Sequence, residues 1–138
     1  MTGWHIRPAR PADVGAVLAL WAESDATPSS TDDPDSLARL IGDFDGLLLA
    51  VRGEEVVGTL IATWDGWRGN MYRLVVDHRY RRQGVALALV AAGERRLAER
   101  GCRRVCALVT EAHPHAVGFW TAAGYGADPT MLRHVKML

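Results

Sequence analysis

Lysine is nearly missing from this 138-residue chain: fifteen of its sixteen basic residues are arginine, a bias that points to GC-rich coding more than to function. Cysteine is almost as scarce. Cys102 and Cys106 stand alone, and no second pair exists to complete a zinc site. No apolar leader follows Met1-Thr2-Gly3-Trp4-His5, so both thiols are expected to be reduced and packed in a bacterial cytoplasmic protein. No run of 18 apolar residues is present, which argues against a membrane-spanning helix. Charge of one sign is also lacking, since sixteen acids cancel sixteen bases; neither nucleic acid nor membrane is expected as a partner. Neither G-x-x-x-x-G-K-[ST] nor G-x-G-x-x-G occurs. With no internal repeat, low-complexity segment or linker, residues 1–138 are expected to form a single domain.

The chain does hold an ordinary globular composition, 49% apolar and 23% charged. Trp4–Arg7 reads as a first strand. Pro11 suits a first helical turn, and Val14, Val17, Leu18 and Trp21 follow at helical spacing. Residues 24–35 are turn formers and acids and read as a loop. Leu37, Leu40 and Ile41 support a second helix ending near Gly42 or Asp43. Leu47–Val51 and Val56–Trp64 predict a hairpin, with Met71–Val76 as a third paired run. From Gly84 to Arg100 the period becomes helical, and Gly101 suits the cap. Val105–Val109 reads as a strand, Pro114–Ala123 as a helix, and Tyr125–Leu138 as a last strand or hairpin. The order is β-α-α-β-β-β-α-β-α-β, an α/β mixed sheet with helices on both faces.

Charge is distributed less evenly than its sum suggests. Eight arginines lie between Arg79 and Arg104 against two acids, and seven acids lie between Glu23 and Asp45 against Arg39 alone. Solvated faces explain such runs, and so would an anionic cofactor with a cationic acceptor. The informative stretch is Leu74-Val75-Val76-Asp77-His78-Arg79-Tyr80-Arg81-Arg82-Gln83-Gly84-Val85-Ala86-Leu87. A strand runs through a basic turn into a helix that starts on Gly and small residues. Unpaired amides and a partial positive charge make such a helix end a phosphate site. His113 and His115 bracket Pro114 near Glu111, but no further ligand clusters there, so no metal is expected.

Arg81-x-x-Gly84-x-Ala86 after an apolar strand resembles the [QR]-x-x-G-x-[GA] signature of the GNAT superfamily of N-acetyltransferases. Ala116-Val117-Gly118-Phe119-Trp120-Thr121-Ala122-Ala123-Gly124-Tyr125 resembles that family's A-x-x-[FL]-[YW]-x-x-x-G-[FY] segment, and Ile6-Arg7-Pro8-Ala9 with Asp13 its opening. The resemblance implies a single GNAT-like domain: a mostly antiparallel central sheet in which Met71–Val76 and Val105–Val109 form a splayed parallel pair. It implies acetyl-CoA as co-substrate, with pantetheine inserted at that splay against Leu74, Val75 and Val76. The pyrophosphate would rest on the amides of Arg81, Arg82, Gln83, Gly84, Val85, Ala86 and Leu87. A main-chain N–H near Leu74–Val76 would polarise the thioester carbonyl, and Phe119 and Trp120 would flank the pantetheine arm.

Three departures from the family pattern bear on chemistry. His113 stands where Asn is frequent as a cofactor contact, and Trp120 where Tyr is common as the acid for the leaving thiolate. Leu108 stands where Glu is a common base. Candidate bases are therefore Tyr72 and Asp65, then Glu23, Asp25 and Glu111, or an ordered water. The expected reaction is acetyl transfer from acetyl-CoA to a primary amine, small molecule or peptide, by direct attack in a ternary complex. Cys106, expected to be buried, speaks against an acyl-cysteine route. Acids of the 24–35 loop with Trp21, Trp64 and Trp67 would hold a cationic amine. The alternatives are a non-catalytic acyl-CoA sensor or interaction domain, and a nucleotide binder. A homodimer is expected through the edge of the C-terminal strand.

Overall fold

The computed structural model describes residues 3–109 and 114–138. They fall into two compact units, one up to Leu108 and one from Val109 onward. In the first, five strands lie side by side in chain order: β1 (His5–Pro8), β2 (Leu47–Arg52), β3 (Glu55–Trp64), β4 (Gly69–Val76) and β5 (Val105–Ala107). The first four are antiparallel neighbours, and β5 runs parallel to β4. The expected mixed α/β sheet with one parallel pair is thus present.

Helices cover both faces of this sheet. On one face lie α1 (Val14–Glu23) and α2 (Pro34–Phe44). Leu47, Leu49 and Val51 alternate toward them along β2 and pack with Val17, Leu20, Trp21, Leu37 and Ile41. Asp33 starts α2 by accepting from the Ser36 amide at 2.7 Å, with Pro34 in the first turn. The helix runs past the expected Gly42–Asp43 end because Asp45 takes the left-handed conformation (φ 48°) and closes it.

On the opposite face lies α3 (Val85–Glu99). Glycine lets it come close. A Cβ built on Gly58 would meet Val85 Cγ1 at 2.9 Å and Leu89 Cδ1 at 3.1 Å, and one on Gly93 would meet Met71 and Leu60. This contact fixes where α3 begins relative to the end of β4.

Two expectations are corrected here. β5 ends at Ala107 rather than Val109, and Cys106 is exposed rather than buried. As the edge strand, β5 has a neighbour on one side only. In the second unit, α4 spans Pro114–Ala122 and ends near Gly124 (φ 98°). The expected strand after Tyr125 does not form. Asp128 accepts from Thr130 N at 2.9 Å to make a turn, and residues 131–138 join no strand, with Met131, Leu132 and Val135 exposed. The edge through which a dimer was expected is therefore absent. Among the described residues no helix is long and apolar enough to cross a membrane.

Gly58→Leu should overpack the α3 contact and lower unfolding free energy by about 1–3 kcal/mol. Gly42→Ala, where an added Cβ meets nothing within 4 Å, should raise it by about 0.5–1 kcal/mol. Urea unfolding of both variants checks the contrast, which requires opposite shifts in midpoint.

Candidate active site

The centre of the site is β4, and its geometry follows from one irregularity. Its pairing with β3 slips between Thr59 and Ile61, so that Thr59 faces Val75 while Ile61 faces Tyr72. The extra residue is accommodated at Arg73, whose φ is +53°. A left-handed non-glycine residue costs about 1 kcal/mol, so something must hold it there. Thr59 Oγ1 donates to the Arg73 carbonyl at 2.9 Å and accepts from Trp21 Nε1 at 2.9 Å. Arg73 Nη2 donates to both carboxylate oxygens of Asp32 at 2.8 Å, and Nη1 donates to the Thr27 carbonyl at 2.8 Å.

The bulge changes which main-chain groups face outward. Before it, Gly69 N donates to Arg104 O and Met71 O accepts from Leu108 N, both toward β5. After it, Asp77 N donates to Val57 O, back toward β3. By alternation, the N–H and C=O of Leu74 and Val76 then point to the β5 side. Among the described residues of this unit no strand meets them, because β5 pairs only Gly69–Met71. Within this unit β4 is therefore paired with β3 on both sides of the bulge and, among the described residues, open past Met71 on its other edge. Val75 is different: its side chain is buried in the α1–α2 core and its main chain faces β3.

Beyond β4 the chain turns into α3. Asp77 accepts from Arg79 N at 3.0 Å and opens a 3-10 turn, His78–Tyr80. Asp77 also takes the Arg79 guanidinium at 2.8 Å, and Glu55 takes it at 2.7 Å. Arg79 is thus already paired, whereas Arg81, Arg82 and Gln83 are exposed. Arg82 (φ 64°) and Gly84 (φ 82°) both adopt left-handed conformations, the kind of turn that gathers amides into an anion-binding concavity. The first hydrogen bond of α3 runs from Ala88 N to Gly84 O. The amides of Val85, Ala86 and Leu87 therefore have no carbonyl one turn earlier in the helix to bond. A Cβ on Gly84 would meet nothing within 4 Å, so the space over the turn is open. Val85 anchors the turn in the core, while Leu87 is exposed.

A cleft of about 240 Å³ lies beside the end of β4, with Leu20, Glu23 and Asp25 on one wall and Val76, Asp77 and Arg81 on the other. Asp25 approaches Arg81 at 3.5 Å. Tyr72 pairs with Ile61, which packs on the α1–α2 core, so Tyr72 belongs to that same face of the sheet.

The structure gives several acids other work. Asp65 Oδ1 accepts from Arg68 N and Trp67 N, both at 2.7 Å, and closes the β3–β4 turn. Those bonds hold its carboxyl below the usual aspartate range. It also sits at the far end of β4 from Val76, roughly 20 Å away at about 3.3 Å per residue. Asp32 is paired with Arg73, and Asp33 caps α2. Trp21 is buried beneath the Arg73 guanidinium, 5.0 Å from ring centre to Cζ. The acidic loop therefore shows an acceptor fewer carboxylates than its composition suggests. Cys106 lies opposite Asn70, at the paired end of the β4–β5 parting.

Leu74, Val75, Val76 and residues 81–87 thus come together within one unit. Phe119 and Trp120 belong to the other, where Trp120 is buried edge-on between Phe119 (5.5 Å) and Tyr125 (4.9 Å). His113 and Glu111 lie outside the described residues. Among the described residues no group of three potential metal ligands clusters. The Arg73–Thr59–Trp21–Asp32 network was not anticipated. Its one sequence signal was a threonine inside the apolar run Val56–Leu60.

An open strand edge leading into an amide-rich helix start has the shape and polarity that suit an extended, phosphate-bearing ligand. Residues 16–125 match the model of the acetyltransferase (GNAT) family. An acetyltransferase of Photorhabdus laumondii is 37% identical over 108 residues, covering 78% of this chain and 76% of the relative. One from Pectobacterium atrosepticum is 33% identical over 122 residues, 88% of this chain and 86% of the relative. In structure, the PaiA N-acetyltransferase of Thermoplasma acidophilum, solved in complex with coenzyme A, superposes with a TM-score of 0.80 at 14% identity over 91% of both chains. The chain belongs to the GNAT acetyltransferase family.

The Asp77 carboxyl, which tethers Arg79 at the foot of the turn, is held below its usual range chiefly by the Arg79 side-chain hydrogen bond. A depressed native pKa means that Asp77 contributes its full stability above the ordinary aspartate pKa, about 3.9. The contribution fades as pH falls through the lower native value. Between pH 5 and pH 3, Asp77→Asn should therefore lose less stability than wild type. Denaturant unfolding across that range checks it, and parallel curves would count against the tether.

Proposed function

We propose that the chain transfers an acetyl group from acetyl-CoA to a primary amine by direct attack in a ternary complex. The observation that carries this reading is the open edge of β4, whose Leu74 and Val76 main-chain groups lead straight to the amides at the start of α3. The edge suits an amide-containing arm that adds as a strand would. The helix start, with Arg81 and Arg82, suits a pyrophosphate, and the open space over Gly84 leaves room for one to approach. These features fit coenzyme A, the ligand of the PaiA neighbour.

Acetyl-CoA supplies a thioester with a good leaving group. The chain's part is orientation: the N–H groups of Leu74 and Val76 donate along the open edge, where a carbonyl oxygen gaining charge is stabilised. The amine enters by the cleft between Glu23–Asp25 and Val76, whose acids favour a cationic acceptor. The proton lost from the amine passes to water in the cleft, or is relayed by Tyr72 on the same face, whose hydroxyl takes it while giving its own proton to solvent. Asp65, engaged in its turn, is not assigned the task. Direct attack rather than an acyl-cysteine route is supported by the position of Cys106. It sits about four residues, roughly 13 Å, from the level of Leu74. Trp120 has no proton to give at neutral pH, so the leaving thiolate takes its proton from solvent.

Calorimetric titration with acetyl-CoA tests the first half of the proposal. Wild type should bind, and Gly84→Trp, which fills the space over the turn and strains a left-handed position, should lose about 100-fold or more in affinity. Thiol release across a polyamine, an aminoglycoside, a free amino acid and an N-terminal peptide tests the second half. Binding without turnover on any of them would favour an acyl-CoA sensor, and preference for ATP over coenzyme A a nucleotide binder.

A further inference from the structure

Resting on that reading, we infer that Arg73 is a positioning residue for the acceptor: its clamp on residues 27 and 32 fixes the wall of the cleft against the bulge of β4. The clamp uses both ends of one residue. Its carbonyl is held by Thr59, which in turn is held by Trp21 of α1. Its guanidinium reaches the chain between α1 and α2 at two points, the Thr27 carbonyl and the Asp32 carboxylate. The ion pair is largely shielded, with side-chain exposures of 16% and 20%, and stacks on the Trp21 ring. Shielding, and a second guanidinium nitrogen committed to the Thr27 carbonyl, set it apart from the exposed ion pairs of this chain, which contribute little.

Position makes the clamp more than a brace. Arg73 directly precedes Leu74, the first residue whose main chain faces the open edge. The segment it holds begins immediately after Glu23 and Asp25, which line the cleft opposite Val76. One residue thus links the groups that would orient the thioester to the wall that would receive the amine. Residues 24–33 contain no helix or strand; short-range bonds order them, Ser24 with Trp21 O and Ala26 N, and Asp32 with Ser29, with Ala26 against the core, while the Arg73 bonds to Thr27 and Asp32 tie them to β4. Released at Thr27 and Asp32, the segment would keep its ends and lose its place. Misplacing that wall weakens acceptor binding, while the edge and the α3 start, which hold the co-substrate, remain.

Arg73→Gly is the informative variant, because glycine tolerates φ +53° and removes the side chain while keeping the carbonyl that Thr59 holds. Asp32→Asn breaks the pair from the other side, and Arg73→Lys keeps the charge but has one nitrogen where the guanidinium uses two, on Asp32 and on Thr27. The measurements are acceptor KM and kcat with the best amine of the panel above, acetyl-CoA affinity by calorimetry, and unfolding midpoint. The inference expects acceptor KM to rise about tenfold in Arg73→Gly and in Asp32→Asn, with kcat and acetyl-CoA affinity within about twofold of wild type. The double variant should be no worse than the worse single, since both remove one interaction. Arg73→Lys should recover part of the loss. An unchanged KM in a folded Arg73→Gly, or equal losses in KM, kcat and co-substrate affinity, would overturn the clamp's role while leaving acetyl transfer intact. Absence of wild-type turnover on every amine would overturn both readings together.

Discussion

Everything at the site depends on the extra residue that β4 carries at Arg73. Without it, the alternation set at Gly69 and Met71 would send the Leu74 and Val76 main chains toward β3 and leave residues 73 and 75 facing outward. With it, the outward pair moves to 74 and 76, next to the turn that leads into α3. The bulge has an unfavourable backbone, and the chain answers with a buried hydroxyl. Thr59 is the single buried polar residue among the core side chains described, and both of its hydrogen-bonding capacities are used. A buried hydroxyl left unpaired costs about 1–3 kcal/mol, so Trp21, Thr59 and the Arg73 carbonyl are interdependent.

The second constraint is the close approach of α3. Gly58 lies opposite Val76 in the β3–β4 ladder, and it is over Gly58 that Val85 and Leu89 pack. The first residue of α3 is thereby pinned above the last residue of β4. The glycine that permits this contact and the threonine that holds the bulge stand next to each other, at positions 58 and 59. Open edge and helix start are therefore set by neighbouring residues of β3, a strand that carries no candidate ligand-binding group itself.

What was legible in the sequence was what depends on residue type at short range. A left-handed Gly84, small residues behind it and an amphipathic run to Gly101 announce the turn and α3 locally. Period-two and helical patterns likewise placed the strands and the first two helices within a few residues. The bulge was not legible, because it is a mismatch between two strands, and arginine is no marker for φ +53°. Nor was the short β5: Val105–Val109 has strand composition throughout, yet its pairing stops where β4 turns away. The tail failed for the same reason. Its residues have β propensity, but a strand is a pairing and not a composition, and Asp128-Pro129-Thr130 turns instead.

Charge was misleading in an instructive way. Seven acids in a row of 23 residues suggest a negative mouth, and eight arginines suggest a broad positive field. The structure pairs part of this off, from the acidic run Asp32 with Arg73 and Asp45 with Arg96, and from the basic run Arg79 with Asp77 and Glu55. The charge left to act at a distance is smaller and better placed, Arg81 and Arg82 at the turn and Glu23 and Asp25 across the cleft. Opposite signs thus face each other within one Debye length, about 8 Å at physiological salt, since Asp25 already approaches Arg81 at 3.5 Å. A polyanion settling on the turn would compete with Asp25 for Arg81, so filling the turn would leave an acid free on the opposite wall of the cleft.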